Sequence, residues 1–259
     1  MNFVAARNDT DLQALAACRA SSLAERRFQM LAGLARTNDG LLACSFYDPS
    51  AALYKFALDG SMDELATAFA LDEYLRGFAR CAVHQQTQRT YAVAMAHDDD
   101  TNAVTILDSH LQVVATVEAA ESTSDEMDHD PICDVAVHGD QVLVLTTSDH
   151  PQGPGLRLLD LDGRFVRTIA ARRFSRPQAV AASHGRAFVV DKDYKQEYED
   201  RGIRHVLHVI DIHSGAILQQ VRIDLVDEIA AVLVDGDEIY IADFHESKVV
   251  VLPFAGSEA

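Results

Sequence analysis

Apolar residues in this chain come in short runs separated by polar turns. The stretch from Pro177 to Asp191 shows the pattern. Val180 to Ala182 form one run, His184-Gly185 turn the chain, and Phe188 to Val190 form a second run that ends at Asp191. Two short strands joined by a tight turn are what such a phrase predicts. The phrase recurs. Its second strand opens on Leu42, Tyr91, Leu143, Phe188 and Tyr240, at steps of 49, 52, 45 and 52 residues. A third strand follows each time and ends at Ala57, Asp108, Asp160, Asp211 and Pro253, at steps of 51, 52, 51 and 42. A near-constant period of about fifty residues marks a repeat architecture.

Each unit reads in the same order. A first strand, such as Val135 to Val137 or Ala231 to Val234, leads into a polar turn such as Asp235-Gly236-Asp237. The second and third strands follow, the latter as in Leu156 to Leu159 or His205 to Ile210. Asp162-Gly163 or Ser214-Gly215 then turn the chain into a fourth strand: Leu111 to Val117, Phe165 to Ile169 and Ala216 to Val221. Four short strands rich in Val, Ile, Leu and Tyr describe a propeller blade. One such sheet cannot bury both faces alone, whereas sheets stacked around an axis can, leaving only short edges. The near-continuous apolar runs suit sheets covered on both sides. The expected fold is therefore all-β, a β-propeller of five to six four-stranded blades over residues 31–259. Residues 1–30 form a separate segment. Asp11 to Phe28 is rich in Ala, Leu, Glu and Arg, which are good helix formers, and Asp9 or Thr10 stands where a cap belongs. That segment reads either as a helix packed on the propeller or as part of a closing blade, for which Phe3 to Arg7 is a further candidate strand.

Pro-x-x-Val-Ala at 177–181, Phe-Val-Val-Asp at 188–191 and Val-Ile-Asp at 209–211 before Gly215 together resemble NHL-type propeller repeats. Ile229 to Leu252 carries a second good match, and the resemblance extends over residues 31 to 255. It implies a propeller that serves as an interaction module. With no tryptophan in the chain, the WD-repeat signature is missing, and the double glycines of kelch repeats are absent too. Six-bladed relatives include metal-dependent lactonases of the gluconolactonase type, which hold a divalent ion on the axis with Glu, Asn and Asp. Here only Asp191 and Asp243 stand in similar surroundings, and both also match the ordinary repeat Asp.

Charge narrows the partners. The formal net charge of −18 repels phosphate backbones and anionic membranes and favours cationic partners or metal ions. No apolar run reaches the length of about 18 residues that a membrane span needs. The N-terminus lacks the apolar core of a signal peptide, so a cytoplasmic protein is expected. Cys44, Cys81 and Cys133 lie in apolar surroundings and, with Cys18, form no CxxC pair; buried reduced thiols are the expectation.

The candidate chemistry sits in the loops after the second strands, which emerge on one face of a propeller. They carry Asp48, His97 and Asp98, Asp149 and His150, Asp191 and Asp193, and Asp243 and His245. Carboxylates suit Ca²⁺ or Mg²⁺, and added imidazoles suit Zn²⁺ or Mn²⁺. The same residues suit a docking face for a basic protein segment, while loops also need Asp and His simply for turns and solubility. A charged loop over residues 191–202 adds Tyr194 and Tyr198 as contact candidates. No nucleophile elbow, phosphate loop or zinc-protease motif is present. His205 and His208 lie in one strand with a spacing that points them to opposite faces, so they read as structural or surface residues rather than shared ligands. The function expected is a non-enzymatic interaction or scaffold module, without cofactor, that binds a protein partner and neither nucleic acid nor membrane. The alternative is a metal-dependent hydrolase of lactonase or esterase type, with a divalent cation near the axis.

Overall fold

The apolar runs become strands, and the strands assemble in chain order into separate sheets. A computed structural model describes residues 31–45, 52–57, 64–69, 75–96, 103–118, 132–147, 155–192, 205–223, 229–243 and 248–254. The segment 1–30, with its helix-or-blade alternative, lies outside them. Blade 1 is β1 (Leu31–Arg36), β2 (Gly40–Ser45), β3 (Ala52–Ala57) and β4 (Glu64–Phe69). Blade 2 is β5 (Leu75–His84), β6 (Arg89–Ala96), β7 (Ala103–Leu107) and β8 (Val113–Glu118). Blade 3 is β9 (Ile132–His138), β10 (Gln141–Thr146), β11 (Gly155–Asp160) and β12 (Phe165–Ile169). Blade 4 is β13 (Pro177–Ser183), β14 (Arg186–Lys192), β15 (His205–Asp211) and β16 (Ile217–Ile223). Blade 5 has three strands among the described residues: β17 (Ile229–Asp235), β18 (Glu238–Asp243) and β19 (Lys248–Pro253). Every neighbouring pair within a blade is antiparallel. None of the described residues forms a helix long and apolar enough to cross a membrane.

Two compact units divide the described residues, one with blades 1 and 2 and one with blades 3 to 5. Inside the first unit, β5 packs against β1, β2 and β3. Inside the second, β13 packs against β9 and β10 on one side and β17 on the other. First strands thus meet first strands. Fourth strands are the exposed ones: Val114 of β8 and Val166 of β12 are half open to solvent. The middle strands of blades 3 and 4 are buried on both faces, as β14 shows with five consecutive buried residues, Ala187 to Asp191.

Alternation sorts the side chains between cores. Leu143, Leu145, Leu156 and Leu158 of blade 3 pack with Val180, Ala187, Val189 and Ile210 of blade 4. On the opposite face of blade 4, Phe188, Val190, Leu207 and Val209 meet Val232, Ile239 and Ile241 of blade 5. Phe254 closes this second core edge-on to Phe188, with ring centroids 5.1 Å apart, and Arg186 stacks over its outer side. Between blades 1 and 2, Leu42, Cys44 and Leu53 pack with Phe78, Ala92, Leu107 and Leu111. Cys44 is buried, Cys81 and Cys133 are half-buried, and all three are free thiols.

The turns follow from local chemistry. Ser183 pairs with Arg186, so β13 and β14 are joined by two residues. Both take positive φ, His184 at 51° and Gly185 at 71°, as a type I′ hairpin turn requires. The turn from third to fourth strand is built by the repeat Asp. Asp108 Oδ1 accepts from the N–H groups of His110 and Gln112, and Asp160 Oδ1 from those of Asp162 and Arg164. Three residues after each Asp the backbone turns left-handed, at Gly163 (φ 83°) but also at Leu111 (φ 61°). Leu111 therefore belongs to the turn, and the fourth strand of blade 2 starts at Val113 rather than at Leu111. Burial of the Leu111 side chain in the core between blades 1 and 2 compensates the unfavourable backbone.

Candidate functional site

At the end of each second strand one position recurs by register. Ser45, Ala96, Thr146, Asp191 and Asp243 each stand opposite the first residue of their blade's first strand: Leu31, Leu75, Ile132, Pro177 and Ile229. Immediately beyond, every first strand carries a bulge, so one extra residue enters it there. Bulges bend a strand and re-aim its side chains, and they gather at rims and sites.

Asp191 shows what the position does. It is 3% exposed, a burial that an unpaired carboxylate would not tolerate. Its Oδ2 accepts from the Ser175 N–H at 2.8 Å and its Oδ1 from the Arg176 N–H at 2.7 Å. A further main-chain bond, Lys192 N–H to the Arg176 carbonyl, lies beside them. The end of the second strand thereby fastens the segment that enters the same blade. His208 Nε2 approaches Asp191 Oδ2 to 3.7 Å, while Gln220 lies 3.1 Å from His208 Nδ1. Phe174 stands edge-on to the His208 ring at 5.2 Å. His205 and His208 are both buried, at 0% and 3% exposure, so a surface role is excluded for them. Opposite faces hold: His208 shares its cross-strand partner Val189 with the core toward blade 3, and Leu207 and Val209 join the core toward blade 5.

Asp243 occupies the matching place in blade 5, paired by register with Ile229 and Lys248 and 4% exposed. Thr146 does the same in blade 3 and donates its hydroxyl to the Gly155 carbonyl. One residue of this region was not legible as special. Asp134, inside the apolar run of β9, is 7% exposed; its Oδ1 accepts from the Val135 N–H and its Oδ2 from the Val180 N–H of blade 4, both at 2.8 Å. Its only signal in the sequence is a charge within an otherwise apolar strand.

Of the residues expected to form a binding face, Asp191 and Asp243 are buried at strand ends. Asp48, His97, Asp98, Asp149, His150, Asp193 and His245 lie outside the described residues, as does most of the 191–202 loop. Among the described residues, no group of three or more His, Cys, Asp or Glu is placed to hold a metal ion. The charge of Asp134 and Asp191 is used by main-chain N–H groups, which stabilises the backbone strongly because charged hydrogen bonds are worth about 1.5–3 kcal/mol each.

The opposite ends of the blades are tied by polar contacts between successive hairpins. Asn38 N–H donates to Gln88 Oε1 at 2.9 Å, and Gln85 Nε2 donates to the Arg36 carbonyl at 2.8 Å. Gly185 N–H donates to His138 Nε2 at 3.0 Å. The buried Lys55 ammonium joins Asp39 at 2.8 Å and reaches the Ser109 carbonyl of blade 2. That hydrogen bond from Lys55 holds the Asp39 carboxyl below its ordinary range, with help from the Thr37 hydroxyl and against some desolvation. The Ser214 hydroxyl, then the Ser214 N–H, lowers Asp211 in the same way.

No protein-family model matches the sequence, and no curated protein matches it. Solved structures do. A chain of the nidogen/laminin complex is similar over 87% of this chain and 76% of its own, at 11% identity and a TM-score of 0.61. The PQQ-bound aldose sugar dehydrogenase of Streptomyces coelicolor is similar over 90% of this chain and 82% of its own, at 12% identity and a TM-score of 0.57. The Dos1 propeller is similar over 86% of this chain and 55% of its own, at 12% identity and a TM-score of 0.51. At such identities the likeness is one of fold, and the fold it shows is the all-β propeller that the blades compose.

Proposed function

We propose that this chain is a non-enzymatic interaction module of NHL-like propeller type, whose partner is a protein segment of basic character. The observation that carries the reading is the use of the buried carboxylates. Asp134 and Asp191 each have both oxygens engaged by main-chain N–H groups, which is the work of a scaffold holding its loops. Net charge of −18 supports a basic partner, because long-range attraction accelerates encounter with a cationic surface. A chain of similar fold occurs in a nidogen/laminin complex, although another belongs to a sugar dehydrogenase, so the fold is no argument by itself.

The test is a thermal melt of the purified protein with chelator and then with Ca²⁺, Mg²⁺, Mn²⁺ and Zn²⁺ in turn. The expected outcome is an unchanged midpoint with each. A ligand held only by the folded state at about 100 times its dissociation constant adds about 2.7 kcal/mol. A saturable rise of a few degrees with one metal would therefore overturn the reading in favour of a metal-dependent hydrolase.

A further inference from the structure

A chain with a net charge of −18 holds one long stretch without a single acid. Residues 163–190 carry six arginines and none of the 40 Asp and Glu. Three of the six, Arg172, Arg173 and Arg176, fall in the crossover that leads from β12 to β13, and all three are exposed. The crossover is bent in an uncommon way. Ala170 and Arg172 both take positive φ, 53° and 58°, a conformation that residues other than glycine rarely adopt. Arg173 N–H closes the bend on the Ala170 carbonyl at 3.3 Å. The bonds from Ser175 and Arg176 to Asp191, and the bond from Lys192 to the Arg176 carbonyl, pin its far end. Phe174, 6% exposed, anchors it on blade 4 against His208. All of these contacts are made by blade 4 and the crossover itself. Backbone strain of this kind persists where its surroundings enforce it, and it gathers at ligand clamps.

Neither Arg172 nor Arg173 forms an ion pair among the described residues. The carboxylate that pins the crossover, Asp191, already has both oxygens engaged by main-chain N–H groups. Arg222 adds a fourth cation: by register it stands one row beyond the Gln220–His208 pair, on the sheet face that Phe174 covers. We infer that this crossover is a docking site for an acidic protein segment, whose carboxylates pair with Arg172 and Arg173. Each guanidinium presents a planar fork that matches a carboxylate. Screening makes such a site workable on an acidic protein. At physiological salt the Debye length is about 8 Å, so charges in contact outweigh the remote surplus. A long, uniform polyanion such as nucleic acid meets that surplus along its whole length, whereas a short acidic segment meets the crossover alone. The inference goes beyond the basic partner proposed above and gives the module a second contact of opposite sign.

The probe is fluorescein-labelled deca-glutamate, read by fluorescence anisotropy against the full-length protein. A Gly-Ser decapeptide and a ten-nucleotide single-stranded DNA serve as comparisons. Saturable binding of deca-glutamate is expected, with none of the Gly-Ser peptide and weaker binding of the DNA. Arg172→Gly combined with Arg173→Ala should weaken deca-glutamate at least tenfold without lowering the melting midpoint, since glycine relieves the positive φ at 172. Arg173→Glu alone, at a position of ordinary φ, is an independent variant and should weaken it at least fivefold. Arg164→Ala removes an arginine from the turn between β11 and β12 and should leave binding unchanged. Deca-glutamate that does not bind, or that binds both crossover variants as tightly as the unaltered protein, would overturn the inference. DNA that binds more tightly than deca-glutamate and is lost with the same arginines would overturn it in favour of a nucleic-acid site. Either failure leaves the metal-independent melt of the proposed module untouched, and a metal-dependent melt leaves this binding test intact.

Discussion

Asp191→Ala removes the acceptor of two main-chain N–H groups at the entry to blade 4. Each such charged hydrogen bond is worth about 1.5–3 kcal/mol, so a loss of about 3 kcal/mol is expected in urea denaturation. Asp191→Asn keeps one acceptor oxygen and should cost clearly less. Equal and negligible losses in both would refute the fastening role. Asp39 and Asp211 set an acid limit. Both are held below the ordinary carboxylate range in the folded protein, so they add stability that is complete above their unfolded value of about 4 and vanishes as pH falls through the folded one. The melting midpoint should drop on going below pH 4, and Asp39→Asn should make that drop shallower. Residues of this kind were unevenly legible. Asp191 and Asp243 were found because a charge ends an apolar run, and Asp211 because it recurs at the repeat period. Asp134 was not, since nothing in a sequence tells that a charge within a strand will accept a hydrogen bond from the neighbouring blade.

At the scale of strands and sheets, packing dominates. Phe188 is fully buried between blades 4 and 5 and meets Phe254 edge-on. Phe188→Ala should destabilise by about 3–5 kcal/mol, the usual cost of emptying a buried aromatic site. Phe254→Leu keeps most of the volume, so its cost should stay below about 1.5 kcal/mol. Chemical denaturation of the two variants checks the order, and a reversed order would mean the Phe188 site collapses freely. The strands themselves could be read from apolar runs and turn residues because each second strand is flanked by pairs on both sides and has no polar face to confuse the period. The five bulges could not. A bulge shifts alternation by one residue, and in a run as short as Ile229 to Asp235 an apolar residue on either face looks the same. The burial of His205 and His208 escaped for a similar reason: spacing gave their faces, but only the sheets on either side decide that both faces are covered.

For the molecule as a whole, the repeat period was the strongest signal, and it yielded the blade order and the all-β class. Function was far less legible, because the acidic and imidazole-bearing loops are where the repeat stops constraining the sequence. The hairpins from first to second strand span two residues in blades 3, 4 and 5. The connections from second to third strand are unequal: β10 ends at Thr146 and β11 begins at Gly155, β14 ends at Lys192 and β15 begins at His205, and β18 ends at Asp243 and β19 begins at Lys248. The bulge that follows the same register in every blade absorbs this inequality before it reaches the ladder. Each blade is thus a socket with a fixed rim, into which loops of different length and chemistry can be exchanged without rewriting the sheet beneath, so that new specificities can arise on this scaffold one loop at a time.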